Sequence, residues 1–473
     1  MATLGGQAVK LAVNIIGIVV LSRLLTPDDF GLIAMVTSLT GIALVLKDMG
    51  LSAATIQNST ITNAQVNSLF WVNAAVGAII CLLVILSAQA FVWFYGQPKL
   101  VPIVFASAAA FLIGGVSVQH QALLSRRMEF LRLALVDISS MVLGTLFGVG
   151  LALAGCGYWS LVAMQLVTVA SATGFLWIAS RWRPSFPSFD RSALNMISFG
   201  AHLTGINLLN YIAINVSNIL IGRFWGAQQL GLFTRAYQLL LLPLNQINGP
   251  VSAVAIPVLS RLVAEPERYR RAYLEILNKI LWLTIPGIAF LVATSNVLLA
   301  VTLGPQWTQA DALYAWLSTM GFVIPLRNTV TWLFITQGRT SELFRFSCLD
   351  SIVTVVTILI GLPWGPVGIS ACFSIAGLLI RTPLLLWLVG RRGPVKTTDL
   401  YRALVRAIPL GIAVWLVIWL VKPHLLFMSP PACLTFLFLI AAVIVMSLTL
   451  ATGSGRSVVR EITRLIRERI RRP

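Results

Sequence analysis

Long apolar stretches separated by short polar connections recur along the whole chain. Each holds about 20 residues, the length that an α-helix needs to cross a hydrocarbon core of about 30 Å. Because lipid offers the backbone no hydrogen-bond partners, these stretches are predicted to be helices of an all-α, polytopic membrane protein. About fourteen transmembrane helices are predicted, near residues 3–22, 30–52, 66–92, 101–124, 132–154, 158–178, 193–221, 230–259, 274–302, 311–336, 346–364, 366–389, 404–421 and 431–452.

The composition excludes a soluble fold. Of the 473 residues, 58% are hydrophobic and only 10% are charged, whereas about a quarter of the residues in soluble domains are charged. The five cysteines are scattered in or beside apolar spans without CxxC spacing, so neither a disulfide framework nor a zinc site is predicted. No metal and no cofactor is expected.

The formal net charge of +19 is spread along the chain and does not form one patch. Lysine and arginine recur in alternate connections between spans, for example at Arg126 and Arg127 and again at Arg391 and Arg392. This alternation is the positive-inside pattern of membrane proteins, and it does not indicate a nucleic-acid partner. It predicts that both termini face the cytoplasm.

The tail from 454 to 473 has a pattern of its own. Apolar residues such as Val458, Ile462, Leu465 and Ile466 recur every three or four positions, and arginines fill the remaining faces. This pattern predicts a basic amphipathic helix on the cytoplasmic surface, in contact with membrane lipids. A solvated tail is the alternative.

The chain resembles itself at two offsets. At an offset of 200, residues 23–33 align with 223–233, and the second match lies near an offset of 213. The second match places Arg126, Glu129, Arg132 and Asp137 on Arg339, Glu342, Arg345 and Asp350. Two six-helix lobes are predicted, 1–180 and 193–390, and a repeat of six spans predicts a pseudo-two-fold axis along the membrane normal with the substrate path between the lobes. Two additional helices at 404–452 stand outside the repeat.

Three segments carry a resemblance to a known family: 21–32 (LSRLLTPDDFGL), 157–162 (GYWSLV) and 230–239 (LGLFTRAYQL). They resemble the bacterial polysaccharide, or lipid-linked oligosaccharide, flippases, in particular the lipopolysaccharide and exopolysaccharide exporter branch of the multidrug, oligosaccharidyl-lipid and polysaccharide exporter superfamily. The resemblance implies two lobes that enclose a cavity, and alternating access across the bacterial cell inner membrane. One departure is Ser217, which leaves the stretch 215–218 uncharged where similar proteins often carry an acidic residue.

The resemblance implies a flippase that translocates a lipid-linked oligosaccharide of the polyprenyl-phosphate type, with polysaccharide polymerase machinery as a further expected partner. The alternative is a cation-coupled multidrug efflux transporter of the same superfamily, which favours twelve spans and intramembrane carboxylates. A membrane enzyme is not expected, because no sizeable loop and no carboxylate, histidine or metal cluster is visible.

Charged and amide side chains inside predicted spans are the candidate functional residues, since charge in a bilayer is costly and marks function. The intramembrane charges include Arg381 and Asp311 as well as residues that are predicted to line a substrate cavity. The cavity candidates are Asn14, Lys47, Asp48, His202, Asn207, Asn210, Asn215, Arg235, Gln246, Asn248 and Arg327. Arginine suits a phosphate through its planar fork of donors.

Alternatives remain for several of these candidates. Lys47 and Asp48 are placed to pair at the interface, Arg235 is placed to snorkel to headgroups, and the amides are equally suited to hold neighbouring helices together. The repeated acid and arginine set is interpreted as a structural clasp at cytoplasmic turns, where charges three residues apart form pairs. Its members are Arg126, Glu129, Arg132, Asp137, Arg339, Glu342, Arg345 and Asp350.

Overall fold

The computed structural model describes residues 2–48, 52, 55–56, 61–187, 193–425 and 427–451, with the backbone alone in several helical stretches, chiefly 193–207. Every regular element among these residues is a helix. The all-α fold predicted from the apolar pattern is therefore confirmed. The predicted amphipathic tail at 454–473 lies outside the described residues.

The chain folds as two compact units, Met1–Thr234 and Arg235–Pro473. The division into lobes at 1–180 and 193–390 stays a prediction. In the described part of the first unit the helices are α1 (Ala2–Leu24), α2 (Pro27–Asp48), α3 (Asn63–Leu86), α4 (Ala88–Tyr95), α5 (Leu100–Gly115), α6 (Val118–Arg126), α7 (Phe130–Leu153), α8 (Trp159–Ser180) and the start of α9 (Ala193–Arg261).

The second unit begins inside α9. The helices that follow in its described part are α10 (Pro266–Ala293), α11 (Ser295–Thr302), α12 (Asp311–Gly321), α13 (Ile324–Thr336), α14 (Thr340–Gly361), α15 (Gly365–Ala376), α16 (Thr382–Gly390), α17 (Thr397–Leu425) and α18 (Pro430–Ala451). Two 3₁₀ turns, Pro305–Ala310 and Leu362–Trp364, and one π-helical turn, Gly377–Arg381, lie between them.

Nine segments of the described chain are long and apolar enough to cross a membrane, and α5 and α6, bent by 41°, form a tenth. Two of the nine, Ile214–Arg261 and Thr340–Gly390, have 48 and 51 residues, which is about twice the length of a single crossing. The first of these is interrupted at Gly226, where φ is 81° and ψ is 179°. The chain is thus a multi-pass membrane protein, and the number of fourteen spans stays a prediction.

Glycines allow the helices of the first unit to approach closely. A Cβ added to Gly148 of α7 would lie 2.8 Å from the Cβ of Met164 in α8, and one added to Gly77 of α3 would lie 2.8 Å from the carbonyl oxygen of Phe111 in α5. Since lipid supplies no hydrophobic force between helices, such van der Waals packing of small residues is a main source of their association.

The closest backbone contact joins α2 to α9 and involves two glycines that the repeat pairs with each other. A Cβ on Gly31 would overlap the carbonyl group of Ala227, and a Cβ on Gly231 would overlap the carbonyl oxygen of Pro27. Partners are therefore exchanged between positions 200 residues apart, as at a self-complementary contact around a two-fold axis. Nearby, the Tyr211 hydroxyl donates to the carbonyl oxygen of Thr37 at 2.8 Å and adds to the same helix pair.

The second unit has an aromatic core, and its last two helices pack on α10. Buried Tyr269 and Tyr273 of α10 share hydroxyl hydrogen bonds of 2.6 and 3.2 Å with Thr336 and Thr329 of α13. Asp399 at the start of α17 accepts two hydrogen bonds, of 2.8 and 2.7 Å, from the Arg270 guanidinium of α10. Buried apolar residues of α10, α17 and α18 continue this contact toward the opposite end.

Replacing Gly31 with alanine is expected to destabilise the first unit. The new methyl group has backbone as its neighbour, so the helices must move apart, and overpacking of this kind costs about 1–3 kcal/mol. The melting temperature of the purified protein in detergent should fall.

The matched control is Gly174→Ala in α8, because no atom of the described residues lies within 4 Å of a Cβ at that position. Alanine favours a helix over glycine, so this variant should keep or slightly raise the melting temperature. Equal melting temperatures for both variants would contradict the close contact between α2 and α9.

Candidate functional site

Three charged side chains meet inside the second unit: Arg327 of α13, Asp350 of α14 and Arg381 of the π-helical turn. Arg381 donates from Nε to Asp350 Oδ1 at 2.8 Å and from Nη2 to Oδ2 at 2.7 Å. Arg327 donates from Nη2 to both carboxylate oxygens at 3.0 Å. One carboxylate therefore bridges two guanidinium groups that come from different helices.

The two arginines lie far from the C-terminal ends of α13 and α16. Arg327 precedes the end of α13 at Thr336 by nine residues, and Arg381 precedes the end of α16 at Gly390 by nine residues. At 1.5 Å per residue both are about 13 Å from those ends, close to the middle of a core of about 30 Å. Snorkelling to the headgroups is therefore difficult, and the charges must be compensated within the protein.

Local breaks in the helices and aromatic rings position the two arginines. Arg381 ends a π-helical turn, an irregularity that is frequent at functional sites. Its guanidinium lies 4.9 Å from the centre of the Phe373 ring, and that of Arg327 lies 6.0 Å from the centre of the Phe346 ring. Cation–π contacts of this kind stabilise desolvated cations.

The cluster keeps an excess of positive charge and of donors. Two guanidinium groups and one carboxylate give a net charge of +1 within the triad. Within the described part of the chain, the Nη1 atoms of Arg327 and Arg381 are buried and have no hydrogen-bond partner. Leaving a buried donor unpaired costs about 1–3 kcal/mol, so the two guanidinium groups are suited to accept a further anionic ligand.

A second ion pair joins two helices of the first unit. Lys10 of α1 donates to Asp137 of α7 at 2.6 Å, and their side chains are 30% and 52% exposed. Asn14 follows one turn later on α1 and is also exposed. Polar groups that are exposed inside spans almost always face water or other protein, and seldom lipid.

The remaining cavity candidates are distributed over both units. Lys47 packs against α5, since a Cβ on Gly114 would lie 2.7 Å from its Nζ. Half-buried Arg235 donates to Gln238 at 2.8 Å. Gln246 is exposed and Asn248 is half-buried. The side chains of Asp48, His202, Asn207 and Asn210 lie outside the described residues.

Two of the amides of α9 bond within their own helix. Asn215 donates to the Tyr211 carbonyl oxygen at 3.0 Å, and Asn218 donates to the Asn215 side-chain oxygen at 3.2 Å. Both residues are half-buried. These contacts use part of the hydrogen-bonding capacity of Asn215 and leave further donor and acceptor sites on the two amides.

The clasp candidates of the second unit lie around Arg339. Its guanidinium donates to Glu342 at 3.2 and 2.8 Å and to the carbonyl oxygens of Val389, Leu388 and Arg392. It thereby joins the start of α14 to the end of α16. Arg345 is exposed on α14.

The corresponding residues of the first unit make other contacts. Arg126 donates to the carbonyl oxygen of Thr55 at 2.9 Å, and Arg132 donates to Glu129 at 2.5 Å. The last acid of each predicted clasp set, Asp137 or Asp350, pairs with a residue outside its set. The contacts of the two sets therefore differ.

Two members of these charge groups were not among the cavity candidates. The sequence indicates Arg381 as an intramembrane charge without a place in the cavity, and Lys10 is a single charge within an apolar stretch. Their partners are 31 and 127 residues away, so sequence periodicity gives no signal for either contact. The charge itself inside a span is the only signal that could have found them.

An apolar pocket of about 410 Å³ lies in the second unit beside the elements that carry the arginines. Its wall includes Ile285 of α10, Val323 at the start of α13, Leu378 of the π-helical turn, and Ile408 and Ile412 of α17. Val323 precedes Arg327 by one helical turn, and Leu378 precedes Arg381 by three residues. An apolar chain in this pocket would thus lie about one turn from the charged cluster.

No group of three or more His, Cys, Asp or Glu residues in the described part of the chain is arranged to hold a metal ion.

Comparison with sequence families gives one match over much of the chain. The sequence profile of the family described as "Polysaccharide biosynthesis protein" matches residues 20–312. Among curated proteins, the teichuronic acid biosynthesis protein TuaB of Bacillus subtilis (strain 168) is 29% identical over 337 residues, which are 70% of this chain and 69% of that protein. The lipopolysaccharide biosynthesis protein WzxC of Escherichia coli (strain K12) is 22% identical over 376 residues, 78% of this chain and 76% of that protein.

The fold also resembles a solved structure over nearly its full length. The lipid II flippase MurJ, in an inward closed conformation, superimposes with a TM-score of 0.76 and 13% sequence identity, and the match covers 98% of both chains. At this level of identity the likeness concerns the fold.

The charge balance of the cluster predicts unequal effects of removing its members. Asp350→Asn leaves two guanidinium groups without a counter-ion, whereas Arg381→Gln leaves a neutral pair of Arg327 and Asp350. Breaking a buried ion pair costs about 3–5 kcal/mol, so Asp350→Asn should lower the melting temperature clearly more than Arg381→Gln.

Glu275→Gln is the control, because this residue of α10 has a side chain that is 60% exposed and pairs with Lys279 on the surface of the same helix. Thermal unfolding in detergent should show only a small change for it. A larger loss for Arg381→Gln than for Asp350→Asn would contradict the excess of positive charge.

Proposed function

Because the chain belongs to the polysaccharide biosynthesis protein family, we propose that it translocates a lipid-linked oligosaccharide, the repeat unit of a polysaccharide, across the bacterial cytoplasmic membrane by alternating access. The observation that carries the proposal is the buried pair of arginines beside an apolar pocket, within a chain of membrane-spanning helices. A lipid-linked glycan combines these two chemistries, since it has a phosphate group and an apolar chain.

The phosphate group is the part of the substrate that needs cations. Arg327 and Arg381 present planar forks of donors, and arginine binds phosphate oxygens in pairs through such a fork. Their net positive charge attracts an anion in surroundings of low dielectric constant, where charge interactions are stronger than in water. These properties support a role in holding the phosphate.

The apolar chain of the substrate requires a separate surface. The pocket between α10, α13, the π-helical turn and α17 is lined by apolar residues throughout. Each CH₂ group removed from water contributes about 0.8 kcal/mol, although lipid itself competes for the chain. We assign the pocket to the part of the polyprenyl chain nearest to the phosphate.

The sugar portion requires amides and water. Gln246 and Asn248 of α9 lie in the same unit as the two arginines and supply amides at an exposed and a half-buried position. Hydroxyl groups of a glycan exchange hydrogen bonds with water for bonds to such side chains at little cost. We assign these amides to contacts with the sugar.

The distribution of lysine and arginine supports termini that face the cytoplasm. We propose that the repeat units are assembled on the cytoplasmic leaflet, so the direction of transport is from the cytoplasmic to the periplasmic leaflet. Polysaccharide polymerase machinery is the partner expected to receive the product. The protein moves its substrate across the membrane and does not alter it chemically.

Cation-coupled multidrug efflux is the competing function. Coupling to a cation needs an accessible carboxylate inside the membrane. In the described part of the chain, Asp137 within α7 and Asp350 within α14 both have cationic partners. This pairing favours the flippase. Drug-susceptibility profiles of a deletion strain separate the two functions, since the flippase predicts lost surface polysaccharide with unchanged drug tolerance.

Reconstitution tests the function itself. Proteoliposomes with the wild-type chain should transfer a fluorescent lipid-linked oligosaccharide between leaflets, and Arg327→Lys should slow the transfer about tenfold because the charge stays while the planar fork is lost. Accessibility of the fluorophore to an added quencher measures the transfer.

Arg345→Lys is the matched control, as this arginine is exposed near the start of α14. It should transfer substrate at the wild-type rate. A wild-type rate equal to that of empty liposomes refutes the proposed function, and equal rates for wild type and Arg327→Lys refute the role of the arginine.

The role of the pocket is tested by filling it. Ile412→Trp places a large side chain in the pocket and should reduce transfer of substrates with long polyprenyl chains, with a smaller effect on short-chain analogues. Leu416→Trp, one turn further along α17 and 44% exposed, is the control, because Leu416 is outside the pocket wall. Equal transfer by the two variants for both chain lengths would contradict the assignment.

A further inference from the structure

The Arg327, Asp350 and Arg381 cluster contains more donors than its carboxylate can satisfy. Each guanidinium offers five N–H donors, and a carboxylate has about four acceptor positions. Four hydrogen bonds to the two oxygens of Asp350 already fill those positions, at 2.7 to 3.0 Å. No described residue accepts a hydrogen bond from the buried Nη1 atoms of Arg327 and Arg381.

The donors of the two arginines are arranged in a way that suits the acceptor oxygens of a phosphate group. A carboxylate presents one edge of two oxygens, and a phosphate presents a similar edge with additional oxygens beside it. The edge would bind the donors that now hold Asp350, and an additional oxygen would satisfy donors that the carboxylate leaves unpaired. Arg381 itself is only 7% exposed, so a group bound here would be shielded from water.

We propose that Arg327 and Arg381 form a phosphate site and that Asp350 is its internal counter-ion, which lowers the affinity of the site and takes back the arginines after the substrate leaves. The inference rests on the proposed function and adds a role for Asp350, which the sequence repeat assigned to a clasp. Asp350 is a positioning residue here, because it acts on the substrate through the two arginines.

A physical reason for such a residue lies in the need to release the cargo. Two uncompensated guanidinium groups at low dielectric constant would bind a diphosphate very tightly, and a transporter must let its substrate go on the far side. A tethered carboxylate competes with the phosphate for the same donors at high effective concentration. It therefore favours release, and it compensates the arginines while the site is empty.

The test measures binding of two probes to the full-length protein in nanodiscs: inorganic pyrophosphate and geranylgeranyl diphosphate. Asp350→Asn should bind at least one of them about tenfold more tightly than wild type, and it should transfer lipid-linked oligosaccharide more slowly. Glu342→Gln, which removes an acidic charge from the same helix, should leave both affinities unchanged.

The two probes separate the possible sources of the phosphate. Tighter binding of both, or of geranylgeranyl diphosphate alone, supports a site for the lipid headgroup. Tighter binding of pyrophosphate alone supports the site with a free diphosphate as its ligand. If Asp350→Asn binds neither probe more tightly than wild type, the inference is overturned.

A second variant covers the case in which Asp350→Asn is too unstable to purify. Arg381→Gln combined with Asp350→Asn restores the net charge of +1 that the wild-type triad has, but leaves one arginine. The inference predicts weaker binding of both probes than to wild type, because one of the two forks is lost. A merely structural ion pair predicts unchanged affinity, and that result also overturns the inference.

The binding assay does not depend on translocation. A tighter affinity of Asp350→Asn together with a wild-type protein that transfers no glycan would refute the proposed function and keep the phosphate site. Transfer by the wild type without any change of affinity in Asp350→Asn would keep the function and refute the site.

Discussion

Lipid can satisfy neither a backbone amide nor a charged side chain, and this constraint decides both the fold and the candidate site. It requires helices throughout the spans, and it requires that each charge within them has a partner in the protein or faces water. Asp350 meets this requirement with two arginines at once. The pair formed by Lys10 and Asp137 meets it at an exposed position.

Interruptions of the helices bring together the parts of the site. The break before α13 and the π-helical turn before α16 contribute Val323 and Leu378 to the wall of the apolar pocket, and Arg327 and Arg381 follow within one turn. An anionic group and an apolar chain could therefore be held side by side by the same two elements. A regular helix would place these residues with a different relative orientation, because a π turn adds a residue to the helical repeat.

Hydropathy was sufficient to predict the all-α membrane fold, because a span must be continuously apolar to exist in lipid. It also pointed to Arg327, whose charge lies where snorkelling is hard. Its partner Asp350 could not be predicted, because the contact depends on how helix packing brings together residues 23 positions apart in the chain. The repeat grouped Asp350 with residues that are predicted at cytoplasmic turns. Equivalent positions of the two repeats, such as Asp137 and Asp350, nevertheless have different partners in the folded chain.

The most direct test of this account is a structure of the protein in a lipid nanodisc with a bound prenyl diphosphate oligosaccharide. The account predicts that diphosphate oxygens lie within hydrogen-bond distance of Arg327 and Arg381, that Asp350 has moved away from at least one guanidinium, and that the prenyl chain enters the pocket beside Val323 and Leu378. A headgroup bound elsewhere, with both arginines still closed on Asp350, would contradict it.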